Sequence, residues 1–114
     1  MNEFLIAYIE AALWSSTDGQ DEPLDHNYRT SDLADETFQK MDEDCALFID
    51  ENWEDISLRW RDAGHDFWLT RNGHGCGFWD GDWPEDAGER LTASAERFGE
   101  VDLYVGDDGK IYQG

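Results

Sequence analysis

The segment from His65 to Trp83, HDFWLTRNGHGCGFWDGDW, constrains the fold more than any other part of the chain. Phe67, Trp68 and Leu69 form one apolar run, Phe78 and Trp79 form another, and Asn72-Gly73-His74-Gly75 lies between them. Asn-Gly is a strong turn signal because both residues tolerate positive φ. The spacing predicts a β-hairpin with strands near 66–71 and 76–80. Consecutive side chains on a strand point to opposite faces. Large apolar groups at adjacent positions therefore require cover on both sides of this hairpin.

Helical patterns flank it. Phe4, Leu5, Tyr8, Ile9, Ala12 and Leu13 recur at three- and four-residue spacing, which predicts a helix over 3–14. Ser15-Ser16-Thr17-Asp18-Gly19 breaks it, and a polar loop over 18–30 follows, with Pro23 inside and Leu24 and Tyr28 as anchors. Residues 32–61 carry the strongest helical signal. Ala34, Phe38, Met41, Cys45, Phe48, Asn52, Ile56 and Trp60 form one face, and Ile49 and Trp53 widen it. Ser31 is the expected N-cap, with Asp32, Asp35 and Glu36 near the first turn, where the helix dipole favours acid. A break near Asp50–Asn52 would divide this segment into two helices. Arg59 and Arg61 suit its last turn and Gly64 its end. Pro84 opens a further helix with the apolar face Ala87, Leu91, Ala95 and Phe98, stopped by Gly99. Val101–Val105 and Lys110–Gln113, joined by Gly106-Asp107-Asp108-Gly109, form a second hairpin. The expected architecture is a single α+β domain over residues 1–114, ordered helix, long helix, hairpin, helix, hairpin. Its mainly antiparallel four-stranded sheet would carry helices packed on one face.

Charge limits the partners. Eight Lys and Arg face 28 Asp and Glu, a net charge of −20. A disordered acidic tail would be poor in aromatics, whereas this chain has six Trp, six Phe and four Tyr, so the acid sits on a folded body. Such a charge opposes compaction. It also excludes direct binding to nucleic acid or to anionic membranes, which need Lys and Arg. No leader sequence and no apolar run of membrane-spanning length is read along the chain, so the expected location is the cytoplasm, with Cys45 and Cys76 reduced.

Few residues point to chemistry. His65 and Asp66 form a pair of the kind used by metal phosphohydrolases, and with His74 and Asp80 they define an alternative reading, a small metal-dependent enzyme. His26 is the only other histidine. Asp80, Asp82, Glu85 and Asp86 are acidic enough for a hard cation, but the EF-hand spacing fails. The glycine-rich turn at Gly73, Gly75 and Gly77 has no helix directly after it and is no P-loop. Ser15, Ser16 and Thr17 lack a nucleophile elbow. Cys45 falls on an apolar helix face and suits a core position. No catalytic residue and no cofactor are expected. Trp68, Trp79 and Trp83 form a candidate aromatic interface, since Trp is enriched at binding surfaces.

The string from Asp66 to Gly75, DFWLTRNGHG, followed by Gly77-Phe78-Trp79-Asp80, resembles a signature of small acidic proteins encoded by tailed bacteriophages and prophages. The segments ALWSST (Ala12 to Thr17), Glu22-Pro23-Leu24-Asp25 and Asp107-Asp108-Gly109 fit the same group, so the resemblance spans most of the chain. It implies a phage gene expressed in a bacterial cytoplasm and carries no catalytic residue. In that setting the acidic residues of the long helix, Asp32, Asp35, Glu36, Asp42, Glu43, Asp50, Glu51, Glu54 and Asp55, become the main candidate site. Residues 32–61 would span ~45 Å as a helix, and duplex DNA carries one charge per ~1.7 Å of axis. The helix alone cannot match that density, but together with the 18–30 loop and the 80–89 cluster it could imitate part of a duplex. The expected partner is a host protein with a basic nucleic-acid-binding surface, such as a restriction or CRISPR effector or a replication or repair factor. The expected assembly is a monomer or homodimer. The acids could instead only keep the protein soluble while the aromatic segment finds the partner.

Overall fold

A glycine fixes the crossing that frames the molecule. The computed structural model describes residues 2–74, 77–79 and 82–114. In it α1 (Glu3–Ser15) lies against α3 (Trp60–Arg71). A Cβ at Gly64 of α3 would overlap the backbone carbonyl of Phe4, so only glycine lets the two backbones approach so closely. Gly64, expected to terminate a helix, sits inside one. α1 is apolar over most of its circumference, burying Phe4, Leu5, Ala7, Tyr8, Ile9, Ala11, Ala12 and Leu13, and its first turn is capped by Asn2, whose Oδ1 accepts from the Leu5 amide at 2.8 Å.

The remaining elements are α2 (Asp35–Ile56), α4 (Glu85–Glu96), β1 (Leu103–Val105) and β2 (Ile111–Gln113), with short 3-10 turns at Leu24–His26 and Thr30–Asp32. The expected break near Asp50–Asn52 is present as a non-helical Asn52 (φ −123°, ψ 16°) within α2. Its side-chain amide donates to the Phe48 carbonyl and the Ser94 hydroxyl, both at 2.9 Å, which stabilises the kink against α4. Ala34, and not Ser31, is the N-cap of α2. Trp60 begins α3, so Arg59 precedes that helix and Arg61 lies within it.

The four-stranded sheet is not formed. Among the described residues there are four α-helices and one two-stranded antiparallel ribbon, β1 with β2, in the register Leu103–Gln113, Tyr104–Tyr112 and Val105–Ile111. Residues 66–71, expected as a strand, are the C-terminal half of α3, and 77–79 form a turn; residues 76 and 80 lie outside the described residues. The cause is the environment of α3, which packs against α1, α2 and α4. Ala63, Gly64, Phe67, Trp68 and Arg71 are buried at helical spacing, and Leu69 and Thr70 are buried as well. Adjacent large apolar residues thus mark an enclosed helix here. Phe67 stacks on Phe48 (4.2 Å, 16°), and Trp68 meets Tyr8 edge-on (5.4 Å, 87°). Asn72-Gly73 closes this helix instead of turning a hairpin. The Gly73 amide donates to the Thr70 carbonyl (3.2 Å), the His74 amide to the Leu69 carbonyl (3.0 Å), and Gly73 has φ +68°, the pattern of a Schellman cap.

α4 and the ribbon form where the sequence places them but are shorter than expected: Phe98 lies beyond the end of α4 and is half-buried, and the strands cover only Leu103–Val105 and Ile111–Gln113. Ala87, Leu91 and Ala95 of α4 are buried, and Gly99 ends its last turn at φ +77°. A single hydrophobic core joins all four helices and the ribbon. Arg71 lies inside it beside Asp44.

Candidate functional site

α2 separates its side chains by the helical repeat of 3.6 residues. Met41, Asp44, Cys45, Phe48 and Asn52 turn inward, and Asp35, Glu36, Asp42, Glu43, Asp50 and Glu54 are exposed on the other side. None of these six carboxylates forms an ion pair among the described residues. Asp35 and Glu36 sit in the first turn of α2, where the dipole stabilises acid. Leu47 and Trp53 are exposed on the same helix at 56% and 51%, and the Trp53 ring is held edge-on by Trp60 at 5.2 Å. Trp53 was expected to widen the buried face; it stands instead among the acids.

The other acids of the predicted face have internal partners. The Asp55 carboxylate accepts from Arg90 Nε at 2.9 Å and Nη2 at 2.7 Å, and this two-pronged hydrogen bond holds its carboxyl below the usual range. Glu51 accepts from Arg97 Nη2 (3.0 Å) and the Ser94 hydroxyl (3.1 Å). Asp32 accepts from the Arg29 backbone amide at 2.7 Å, which stabilises a local turn. Glu51 and Asp55 therefore tie α2 to α4. In the loop over 18–30, Asp18 accepts from the Gln20 and Glu22 amides and Glu22 meets His26 at 2.9 Å, so two of its acids are also engaged locally.

The cations are mostly committed in the same way. Arg59 pairs with Asp62, Arg61 with Glu10, Lys40 and Arg71 with Asp44, Arg90 with Asp55, and Arg97 with Glu51. Arg71 is the buried member of this set. It donates to Asp44 Oδ2 (2.9 Å), the Tyr8 hydroxyl (3.1 Å) and the Phe98 (3.0 Å) and Gly99 (2.8 Å) carbonyls. Sequence reasoning missed this pair, because residues 66–71 were expected as a strand; only the helical phase of α3 puts Arg71 on the buried face, where its charge needs a buried counter-charge.

The candidate aromatic interface divides. Trp68 is buried and donates from Nε1 to the Ser15 hydroxyl at 2.7 Å. Trp83 is buried, donates to Asp66 Oδ2 at 2.8 Å and lies under the Arg59 guanidinium at 4.6 Å. Of the three, only Trp79 is exposed, at 48%. The histidine group divides as well. His65 Nδ1 stands 3.4 Å from Asp66 Oδ1, whereas His74 lines a separate hollow with Ser16, Asn72 and Glu100; Asp80 lies outside the described residues. No group of three or more His, Cys, Asp or Glu that could hold a metal forms among the described residues, and no described helix is long and apolar enough to cross a membrane. Cys45 is a buried free thiol, raised above its usual range first by burial and then by Asp44. Compared with protein-family models, with curated proteins and with solved structures, the chain finds no match in any of the three.

Proposed function

We propose that this chain is a non-enzymatic, phage-encoded binding protein of the bacterial cytoplasm, and that the outward face of α2 occupies a basic, nucleic-acid-binding surface on a host protein. The supporting observation is the sorting of charge. Asp35, Glu36, Asp42, Glu43, Asp50 and Glu54 are exposed and unpaired among the described residues, while six of the eight cations are tied to internal acids. A partner approaching α2 meets six carboxylates, with Lys40 at the border of that face already paired to Asp44. Leu47 and Trp53 add apolar contacts within it, and Trp is a frequent hot-spot residue.

Affinity capture from a bacterial lysate at low and high salt tests this, followed by competition of the captured complex with duplex DNA. Binding should fall steeply with salt and yield to DNA, because many exposed pairs are screened and one surface is shared. Combined reversal of Asp42, Glu43, Asp50 and Glu54 to Lys should slow association while the protein stays folded. A captured partner indifferent both to this reversal and to competing DNA would overturn the proposal.

A further inference from the structure

α4 has a second lined face. Beside its buried stripe, buried Gly88, half-buried Thr92 and exposed Ala93 line a hollow of about 620 Å³ together with Phe78, Trp79 and Trp83. Two glycines shape it. A Cβ at Gly88 would come within 2.7 Å of the Phe78 carbonyl oxygen, so glycine lets that backbone lie on the helix. Gly77 has φ +155°, and a side chain there would strike the Trp79 ring and the Thr70 hydroxyl. Trp79 therefore rests on bare backbone, held in place while its outer face stays open.

The rim carries one sign of charge. Glu85, Glu89 and Glu96 line the hollow, are exposed, and form no ion pair among the described residues. Arg90 and Arg97, the cations of this helix, reach across to Asp55 and Glu51 on α2 instead. An apolar floor under three carboxylates repels an acidic lipid headgroup or a phosphate. It also gives a purely polar cation nothing to bury.

We infer that this hollow is a docking site for a segment of a partner protein that inserts one apolar side chain flanked by Lys or Arg. Such a segment matches floor and rim together. The inference rests on the proposed binding of a basic protein surface and adds to it a second contact, on α4.

The test is a titration of the whole chain with acetyl-Arg-Leu-Arg-amide, followed by amide correlation NMR. Acetyl-Arg-Ser-Arg-amide and acetyl-Glu-Leu-Glu-amide are the controls. The first peptide should produce saturable shifts at the Gly88, Thr92 and Ala93 amides and the Trp79 indole N–H. Each control should bind about tenfold more weakly or worse, from loss of one buried apolar side chain or of the charge match. Ala93→Arg, at an exposed helix position, should fill the hollow and abolish the shifts while melting like the parent; Trp79→Ala should weaken them. The combined reversal of Asp42, Glu43, Asp50 and Glu54 should leave them unchanged, so failure of the α2 proposal and failure of this one give different results. Equal shifts from the serine peptide, shifts confined to α2, or shifts that persist in Ala93→Arg would each overturn the inference.

Discussion

At the scale of single residues, the most consequential is Arg71. Its side chain is 2% exposed and that of Asp44 is 6%. Burying two charges costs several kcal/mol, which their attraction offsets only when every remaining donor is satisfied. Here the guanidinium reaches a carboxylate, a phenol and two backbone carbonyls, and burial pushes the Tyr8 phenol well above its ordinary range, so it stays a neutral partner. Asp44→Ala should destabilise the protein by ~3–5 kcal/mol, because it leaves an uncompensated buried cation. Pairing it with Arg71→Met should recover much of that loss. Urea midpoints of both single variants and the double variant check this as a thermodynamic cycle. A second prediction concerns the ribbon turn. The Tyr112 hydroxyl donates to Asp108 Oδ2 at 2.6 Å. This bond first, then the Lys110 amide, holds the Asp108 carboxyl low, and the same bond pushes Tyr112 up to about 12. Asp108 thus stabilises the turn above its unfolded value of 3.8 and loses that contribution as pH falls through its lowered folded value. Tyr112 contributes fully below its unfolded value of 10.0 and loses it as pH rises through about 12. In a phenolate absorbance titration, Asp108→Asn should return the Tyr112 component toward 10.0, and an unmoved midpoint would count against the bond.

At the scale of elements, two glycines in or next to α3 do different work, and their variants should differ. Gly73→Ala places an alanine at φ +68° in the helix cap and should cost ~1–2 kcal/mol from left-handed strain alone. Gly64→Ala pushes a methyl into the Phe4 carbonyl and must separate α1 from α3, so it should cost ~1–3 kcal/mol or more by overpacking. Urea unfolding followed by far-ultraviolet circular dichroism would rank them, and a neutral Gly64→Ala would contradict the crossing. α1, α4 and the ribbon were legible in the sequence because their signals are local: apolar spacing, Pro84 before a helix, Gly99 after it, Asp-Asp-Gly between short strands. α3 was not. Asn72-Gly73 serves a hairpin turn and a Schellman cap equally well, and Phe67-Trp68-Leu69 fits either a strand covered twice or a helix enclosed by others. Trp60 also continues the apolar phase of α2 across Ser57–Arg59, which hides the start of a new helix. The acids of the candidate site were legible as acids, but their directions were not. The arginines that bind Asp44, Asp55 and Glu51 lie 27, 35 and 46 positions away in the chain, beyond the reach of any local pattern.

At the scale of the whole molecule, 28 acids against eight bases occupy a body of 43 × 25 × 21 Å. Self-repulsion across so short a distance destabilises the folded state, and added salt screens it. The melting temperature should therefore rise as sodium chloride increases from low ionic strength. The structure refines this into a contrast between two sets of acids on one helix. Asp42, Glu43, Asp50 and Glu54 face solvent without an ion-pair partner among the described residues, Glu43 accepting only a 3.4 Å hydrogen bond from Gln39, and contribute mostly repulsion, so reversing them to Lys should leave the melting temperature equal or higher and flatten its salt dependence. Glu51 and Asp55 bind Arg97 and Arg90 on α4, and reversing these two should lower stability. Each exposed ion pair contributes only ~0.2–1 kcal/mol, but reversal also sets like charges against each other, so a combined loss of about 1–2 kcal/mol is expected from the pair. Melting curves of the two reversal sets across salt concentrations decide the matter. If both sets shift stability in the same direction by similar amounts, the division of α2 into an outward face and an inward seam is wrong, and the proposed binding face loses its structural basis.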